Sequence, residues 1–338
     1  MPVRRITLLL LLAVTGAGIA DEPTRPPTEV ARELLEVYGK RLDDLTYIPA
    51  LAVHCRGRFA ELTREQKHAD EVRALVAPYL DGDKTAKTDS HVAIAGHLAL
   101  VGQSNKPATE RIALAADRVP APKPEEMSDA VFMCGPTLCE AGRLTKDDKY
   151  FEAAAAYLAE LRKLRQRDDG LYAHGHLCDA AWGRGNGFAA VGVAWCLTAL
   201  PAKHERRIKV LDSFRAHMEA LLKHQDADGM WHQVIDVAKS KPEFTCTCMI
   251  GFAMQRGIAH GWLAKEKYQP AVDNAWRAIG QRIKPQGKLI GVCEGTGTQP
   301  TVEAYLGRKL NDGVDQRGGA MALLFATELM AANRLAQE

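Results

Sequence analysis

A turn that returns at a nearly constant interval constrains this chain more than any other feature. Arg167-Asp168-Asp169-Gly170-Leu171-Tyr172 is echoed by Asp226-Ala227-Asp228-Gly229-Met230-Trp231 and, more loosely, by Pro285-Gln286-Gly287-Lys288-Leu289. The three glycines stand 59 and 58 residues apart. Each turn follows a stretch of helical apolar spacing and precedes a loop and a further helix. Ala153, Ala156, Tyr157, Leu161 and Leu164 recur every three or four residues, as do Val210, Phe214, His217, Met218, Leu221 and Leu222. A glycine placed just after a helix is expected to supply the left-handed residue that ends it. A unit of about 58 residues holding two helices cannot bury its apolar faces alone, so its copies must stack. Five or six units fill the chain. The expected fold is all-α, a closed ring of six helical hairpins, the (α/α)6 barrel, with an open solenoid second. Strand-like alternation is confined to Ile290–Val292 and Trp231–Val234.

The first twenty residues stand apart from this pattern. Arg4 and Arg5 precede an apolar run from Ile6 to Val14, and Gly18-Ile19-Ala20 offers small residues for cleavage before Asp21. The run is shorter than the roughly 20 residues of a spanning helix, so residues 1–20 read as a cleaved secretory signal and the product as secreted or periplasmic. Residues 21–338 read as one catalytic domain, with no proline- or serine-rich linker inside it. Without the leader's two arginines the chain carries 42 basic and 42 acidic residues, which favours neither nucleic acid nor an anionic membrane as partner. The eight cysteines (Cys55, Cys134, Cys139, Cys178, Cys196, Cys246, Cys248, Cys293) are too sparse for a disulfide scaffold. They read mainly as small buried residues, with room for one or two bridges.

Three segments are richer in polar, aromatic and glycine residues than a helical core requires. In Met127-Ser128-Asp129-Ala130-Val131-Phe132-Met133, Ser128 reads as a helix N-cap, with Asp129 in the first turn and Met133 on the same face. A carboxyl beside Phe132 and Met133 can be desolvated and hold a proton near neutral pH, although an acid there also simply complements the helix dipole. The second segment runs from Tyr172 through His174, His176, Cys178 and Asp179 to Trp182-Gly183-Arg184-Gly185-Asn186-Gly187-Phe188. Its glycines would let backbone approach a ligand closely, Trp182 offers a face for a sugar ring, and Arg184 a fork for a carboxylate. The spacing fits neither phosphate-binding fingerprint, and His174-x-His176-x-Cys178-Asp179 is too loose for a metal site, so no metal is expected. The third segment, Glu243 to Gly251, reads as an apolar helix with small polar residues on one side and no nucleophile elbow.

Taken together, these segments resemble the unsaturated rhamnogalacturonyl hydrolases of glycoside hydrolase family 105, relatives of the family 88 glucuronyl hydrolases. The resemblance runs from about Ser128 to Leu329. It rests on Asp129-x-x-Phe132-Met133-x-x-Pro136, Leu171-Tyr172-x-His174, Trp182-Gly183-Arg184-Gly185-Asn186-Gly187-Phe188, Asp228-Gly229-x-Trp231 and Glu243-x-Thr245-x-Thr247-x-Met249. Gly291-Val292-Cys293-x-Gly295-Thr296, Tyr305, Asp315 and Gly318 extend it.

The resemblance implies a six-hairpin barrel, no cofactor, and an oligosaccharide substrate ending in a 4,5-unsaturated uronyl residue, of the pectin type. It implies that Asp129 protonates C4, that water adds at C5, and that the hemiketal opens to release the next sugar. His174, Trp182, Arg184, Met133, Phe188, Trp231 and Thr247 are the implied substrate contacts, with Arg184 on the uronate carboxylate. Phe188 stands where the family usually has Trp, Phe244 where a small hydroxyl residue is common, and Tyr47–Arg58 lacks the aromatic character of relatives. Two alternatives accompany this reading. One is a toroid acting on saturated sugars, which needs a second carboxylate such as Asp89, Asp179 or Glu243. The other is a non-catalytic glycan- or protein-binding toroid. The sequence leaves the oligomeric state open.

Overall fold

A computed structural model describes residues 24–103 and 105–335; the expected signal segment lies outside them. Thirteen α-helices are described: α1 Pro27–Leu35, α2 Tyr47–Thr63, α3 Gln66–Leu80, α4 His91–Gly96, α5 Lys106–Ala116, α6 Ala130–Thr145, α7 Asp148–Arg165, α8 Gly183–Ala199, α9 Arg207–Leu222, α10 Phe244–Ala259, α11 Lys265–Arg282, α12 Val302–Leu306 and α13 Gln316–Leu335. Six of them form an inner ring in which α2, α4, α6, α8, α10 and α13 each pack on the next and α13 returns to α2. Outside them, α3, α7, α9 and α11 each pair with the inner helix that precedes them, α5 packs on α6, which follows it, and α1 covers α13. The fold is the expected (α/α)6 barrel. Among the described residues, no helix is long and apolar enough to cross a membrane.

The two layers differ in sequence as they must. Every residue of α8 from Gly183 to Leu197 is buried, as is nearly all of α10, the signature of a helix surrounded on all sides. An outer helix buries one stripe. In α9 it is Val210, Phe214, His217, Met218 and Leu221, as the spacing predicts. In α7 the stripe is Tyr150, Phe151, Ala154, Tyr157, Leu158 and Leu161, so the expected Ala153 and Ala156 face water. Alanine suits either face of a helix, and the large residues decide.

The repeated glycines are left-handed, with φ of +91° at Gly170, +87° at Gly229 and +67° at Gly287. They do not cap the helices as expected. α7 already ends at Arg165, with Gln166 extended, and Gly170 closes a separate tight turn in which its N–H donates to Arg167 O (3.0 Å). Gly229 does the same to Asp226 O (3.0 Å). Gln166 and Gln225 each donate to the carbonyl of their turn glycine at 3.0 Å. Each turn also lies against the next outer helix. A Cβ on Gly170 would come within 3.1 Å of Ala216 O in α9, and one on Gly229 within 2.5 Å of Asn274 O in α11. The repeat is thus a latch between neighbouring hairpins.

Ile290–Val292 falls in a strand. β1 Ile283–Lys284, β2 Lys288–Cys293 and β3 Leu310–Gly313 make a small antiparallel sheet in that order. Trp231–Val234 forms only isolated bridges, Trp182 to Val234 and His232 to Pro242. All eight cysteines are free thiols, and all but Cys178 are buried.

Candidate active site

Because each outer helix returns the chain, the inner helices run parallel and their N-termini share one end of the barrel. Asp129 stands there at the N-cap of α6 with helical dihedrals, and its side chain caps nothing. Ser128, expected as the cap, makes no capping bond; its Oγ is buried without a partner. The Asp129 side chain is 13 % exposed, with Oδ1 buried and lacking a hydrogen-bond partner, 3.3 Å from His174 Nε2. His174 is wholly buried. Its Nδ1 lies 2.7 Å from the Tyr305 hydroxyl, and its ring leans on Trp182 with centroids 4.3 Å apart. Its carbonyl accepts from Ser128 N–H (2.9 Å), which ties the His174 loop to the start of α6.

The motif from Trp182 to Phe188 holds this pair in place. Asn186 Oδ1 accepts from Tyr172 N–H and its Nδ2 donates to Tyr172 O, both at 2.9 Å, so one amide side chain clamps the strand that carries His174. The glycines admit protein rather than a ligand, which corrects the sequence expectation. A Cβ on Gly183 would meet His232 O at 2.3 Å, and one on Gly187 the Met249 side chain at 2.6 Å. One on Gly185 would fall between Ser128, His174 and Asp129.

Several expected sugar contacts are likewise turned inward. Trp182 is buried between His174, Tyr305 and the Arg184 guanidinium, which lies 4.6 Å from its ring centroid. Arg184 is only 2 % exposed, and its two terminal nitrogens donate to Cys293 O and Glu294 O, each at 2.6 Å. The fork expected for a substrate carboxylate is instead engaged with backbone at the end of β2. Phe188 stacks on Phe132 (5.4 Å) and meets Tyr47 edge-on (5.7 Å), forming a floor on the barrel axis. Met133 is buried one turn below Asp129. Trp231 donates from Nε1 to Leu221 O (2.7 Å), and Thr247 Oγ1 donates to Glu243 O (2.8 Å) while accepting from Trp231 N–H (3.0 Å). Both are buried wall residues. The physical reason is common to all of them: six helix ends crowd one axis, and large side chains beside the acid are consumed in fixing it.

The rim that does reach solvent was mostly missed from sequence. Arg317, in the first turn of α13 and 19 % exposed, lies 3.9 Å from Asp315 and near Tyr47 at the start of α2. α13 stands opposite α6 in the ring, so Arg317 and Asp129 start helices on opposite sides of the mouth. A cation in a helix's first turn opposes the dipole, and that was the available signal. His91, at the start of α4, pairs with Glu126 at 3.2 Å. Among the other acids, Asp89 and Asp179 are exposed, and Glu243 is buried. Both Glu243 oxygens are engaged, Oε1 by Cys293 N–H (2.9 Å) and Oε2 by Cys246 N–H (2.7 Å), with Thr245 Oγ1 donating to each. Among the described residues, no group of three or more His, Cys, Asp or Glu side chains is arranged to hold a metal ion.

The sequence pattern of Glycosyl Hydrolase Family 88 matches residues 46–332, which extends the likeness to the N-terminal helices where sequence reading saw none. The chain is 27 % identical over 193 residues to an unsaturated rhamnogalacturonyl hydrolase of Bacillus subtilis (strain 168), covering 53 % of this chain and 52 % of that protein. It is 28 % identical over 176 residues to an unsaturated 3S-rhamnoglycuronyl hydrolase of Alteromonas sp. (strain LOR), covering 48 % and 42 %. The chain thus spans about half the length of the curated relatives it matches. A glycoside hydrolase from family 105 of C. acetobutylicum ATCC 824 superposes with a TM-score of 0.79 at 17 % identity, over 90 % of this chain and 99 % of that one, which is a likeness of fold.

Proposed function

The chain belongs to Glycosyl Hydrolase Family 88, and on that premise we propose that it hydrates a 4,5-unsaturated uronyl residue at the non-reducing end of a lyase-generated, pectin-type oligosaccharide. The observation that carries this reading is the Asp129 carboxyl at the barrel mouth, largely buried and with one oxygen set against His174. Ordinary glycosidases need a second carboxyl about 5 to 9.5 Å away as nucleophile or base. Glu243 is fully engaged in hydrogen bonds, and Asp89 and Asp179 are exposed to solvent.

Hydration of an enol ether requires one acid. The Asp129 proton passes to C4, the developing cation at C5 takes up water, and the proton released from that water returns to the same carboxylate. The hemiketal then opens and frees the neighbouring sugar. Arg184 is buried and holds two backbone carbonyls at 2.6 Å, whereas Arg317 is more exposed and makes a longer bond to Cys293 O (3.4 Å), so the uronate carboxylate is assigned to Arg317, with Tyr47 beside it. The relatives' names, one rhamnogalacturonyl and one rhamnoglycuronyl, support an unsaturated uronide as the substrate class. The apolar leader after Arg4-Arg5 supports export, which would bring the enzyme to polysaccharide fragments outside the cytoplasm.

The test is turnover of lyase-digested rhamnogalacturonan, ulvan and glycosaminoglycan, followed by loss of the ultraviolet absorbance of the conjugated double bond. Asp129→Asn is expected to lower kcat by at least about 100-fold with substrate binding retained. Product release with the absorbance intact, or full activity in that variant, overturns the mechanism. The saturated-sugar alternative requires a second carboxyl, for which Glu126 and Asp315 are rim candidates; an essential role for either, with saturated substrates turned over, would favour it.

A further inference from the structure

We propose that Tyr305 is a positioning residue that holds His174 as the neutral tautomer with its proton on Nε2, so that the ring turns an N–H toward Asp129 Oδ1, 3.3 Å away, and biases the acid's transferable proton to Oδ2. This rests on the reaction proposed above for its catalytic consequence, but not for its geometry.

Gln299 N–H donates to the Tyr305 hydroxyl oxygen (3.0 Å), so that oxygen already accepts one bond. The hydroxyl hydrogen then points to its other near neighbour, His174 Nδ1, at 2.7 Å. Burial pushes the Tyr305 phenol up to about 12, so it keeps that hydrogen at any working pH. A ring whose Nδ1 accepts carries its proton on Nε2 when neutral. Nε2 faces Asp129 Oδ1 at 3.3 Å, where an N–H is attractive and a bare lone pair would repel the carboxylate. The opposite tautomer would set two acceptors against each other on one side and leave the Tyr305 hydrogen without its partner on the other.

Among the described residues Tyr305 is the one hydrogen-bond partner of the ring, and Nε2 and Asp129 Oδ1 are both buried with no other. Trp182 stacks on its face, and Gly185 leaves room at its edge. Tyr305 itself is anchored from two sides. Its carbonyl accepts from Gln233 Nε2 (2.7 Å), and its ring closes a small apolar cluster with Ala180, Trp182, Val234 and Cys293. Tyr305 gains and loses no proton during the reaction. It fixes which oxygen of Asp129 is tied down, and so which one delivers the proton to C4.

The decisive measurement is 15N NMR of the histidine side chains of the full chain at neutral pH, with His174 assigned by its disappearance in His174→Gln. A neutral Nε2–H signature for His174 is expected; an Nδ1–H tautomer or an imidazolium overturns the proposal. In Tyr305→Phe the His174 signal is expected to shift toward mixed tautomers, with kcat down at least about tenfold, KM within about twofold, and a displaced pH profile. An unchanged His174 signature in that variant also overturns it, and if the variant does not fold the wild-type spectrum still decides. Failure to turn over any unsaturated uronide while the Nε2–H signature stands would sink the reaction and leave the tautomer assignment intact.

Discussion

Gly185 and Asp129 approach so closely that a single added methyl group would crowd the proposed proton donor: a Cβ on Gly185 would lie 3.4 Å from Asp129 Oδ1, 3.1 Å from His174 Cδ2 and 2.6 Å from Ser128 Oγ. Ser128 and His174 are fully buried and have nowhere to retreat. Gly185→Ala is therefore expected to displace the acid, lowering kcat by about 100-fold while costing only about 1–3 kcal/mol of stability. Steady-state kinetics beside a denaturant titration separates the two, and wild-type activity in the variant would show that the start of α8 yields freely.

Arg317→Gln removes the rim cation opposite Asp129 but leaves the Tyr305–His174–Asp129 array untouched. The expectation is a rise in KM of roughly tenfold or more, with kcat changed less, because a bidentate charge-assisted contact is lost. An unaltered KM would move carboxylate recognition elsewhere on the rim.

For Trp231 sequence and structure make opposite forecasts. As a wall residue donating to Leu221 O, it should cost about 1–3 kcal/mol of stability when replaced by Phe, through an orphaned carbonyl and a small void. KM should not move. Urea midpoints and Michaelis constants for Trp231→Phe would decide between wall and sugar platform.

Two histidines make the barrel acid-sensitive. Burial pushes His54 down to about 3, with Arg58 and Arg256 nearby adding to the effect, and burial alone pushes His217 down to about 3. Each is neutral in the folded chain and takes up a proton on unfolding once the pH is below the ordinary histidine value of about 6.5. The unfolded state thus binds more protons between about pH 6.5 and 3, and stability falls with falling pH across that window, by about 1.4 kcal/mol per unit per histidine at most. Urea unfolding at pH 7 and pH 5 should show the loss. His54→Phe, which keeps a ring against Trp195, should reduce the slope.

At the opposite end of the barrel Arg256 grips Glu328 through two bonds, Nε to Oε1 at 3.0 Å and Nη2 to Oε2 at 2.6 Å, with little exposure of either side chain. Arg256→Met strands the carboxylate and is expected to cost about 3–5 kcal/mol, whereas the double variant with Glu328→Gln should recover part of it. A double-mutant cycle by denaturation with no coupling would contradict this.

The architecture was legible because two periods are written into the chain, the helical spacing of apolar residues and the return of the turn glycines. Asp129 was picked out by its place in the family motif Asp129-x-x-Phe132-Met133-x-x-Pro136, because an acid in a helix's first turn has an ordinary dipole role as well. What sequence could not reveal was direction. Trp182 and Arg184 carry the chemistry of a sugar platform and a carboxylate clamp, yet they face Tyr305 and the β2 carbonyls. Tyr305 could not be linked to His174 from sequence either, since 131 positions separate them and only the excursion through α12 brings them together. The latch function of Gly170 and Gly229 was hidden for the same reason: the turn is local, but its docking partner is the next hairpin.

The packing of α13 against α1 and α2 means that the first and last helices of the barrel complete each other. Tyr47 and Arg317, one from each, become neighbours only when that seam shuts. A chain emerging from the ribosome therefore completes this side of its rim only once its last helix has been made. Any loosening of the seam would be felt first as a loss of grip on the anionic end of the sugar, with the proton donor still intact.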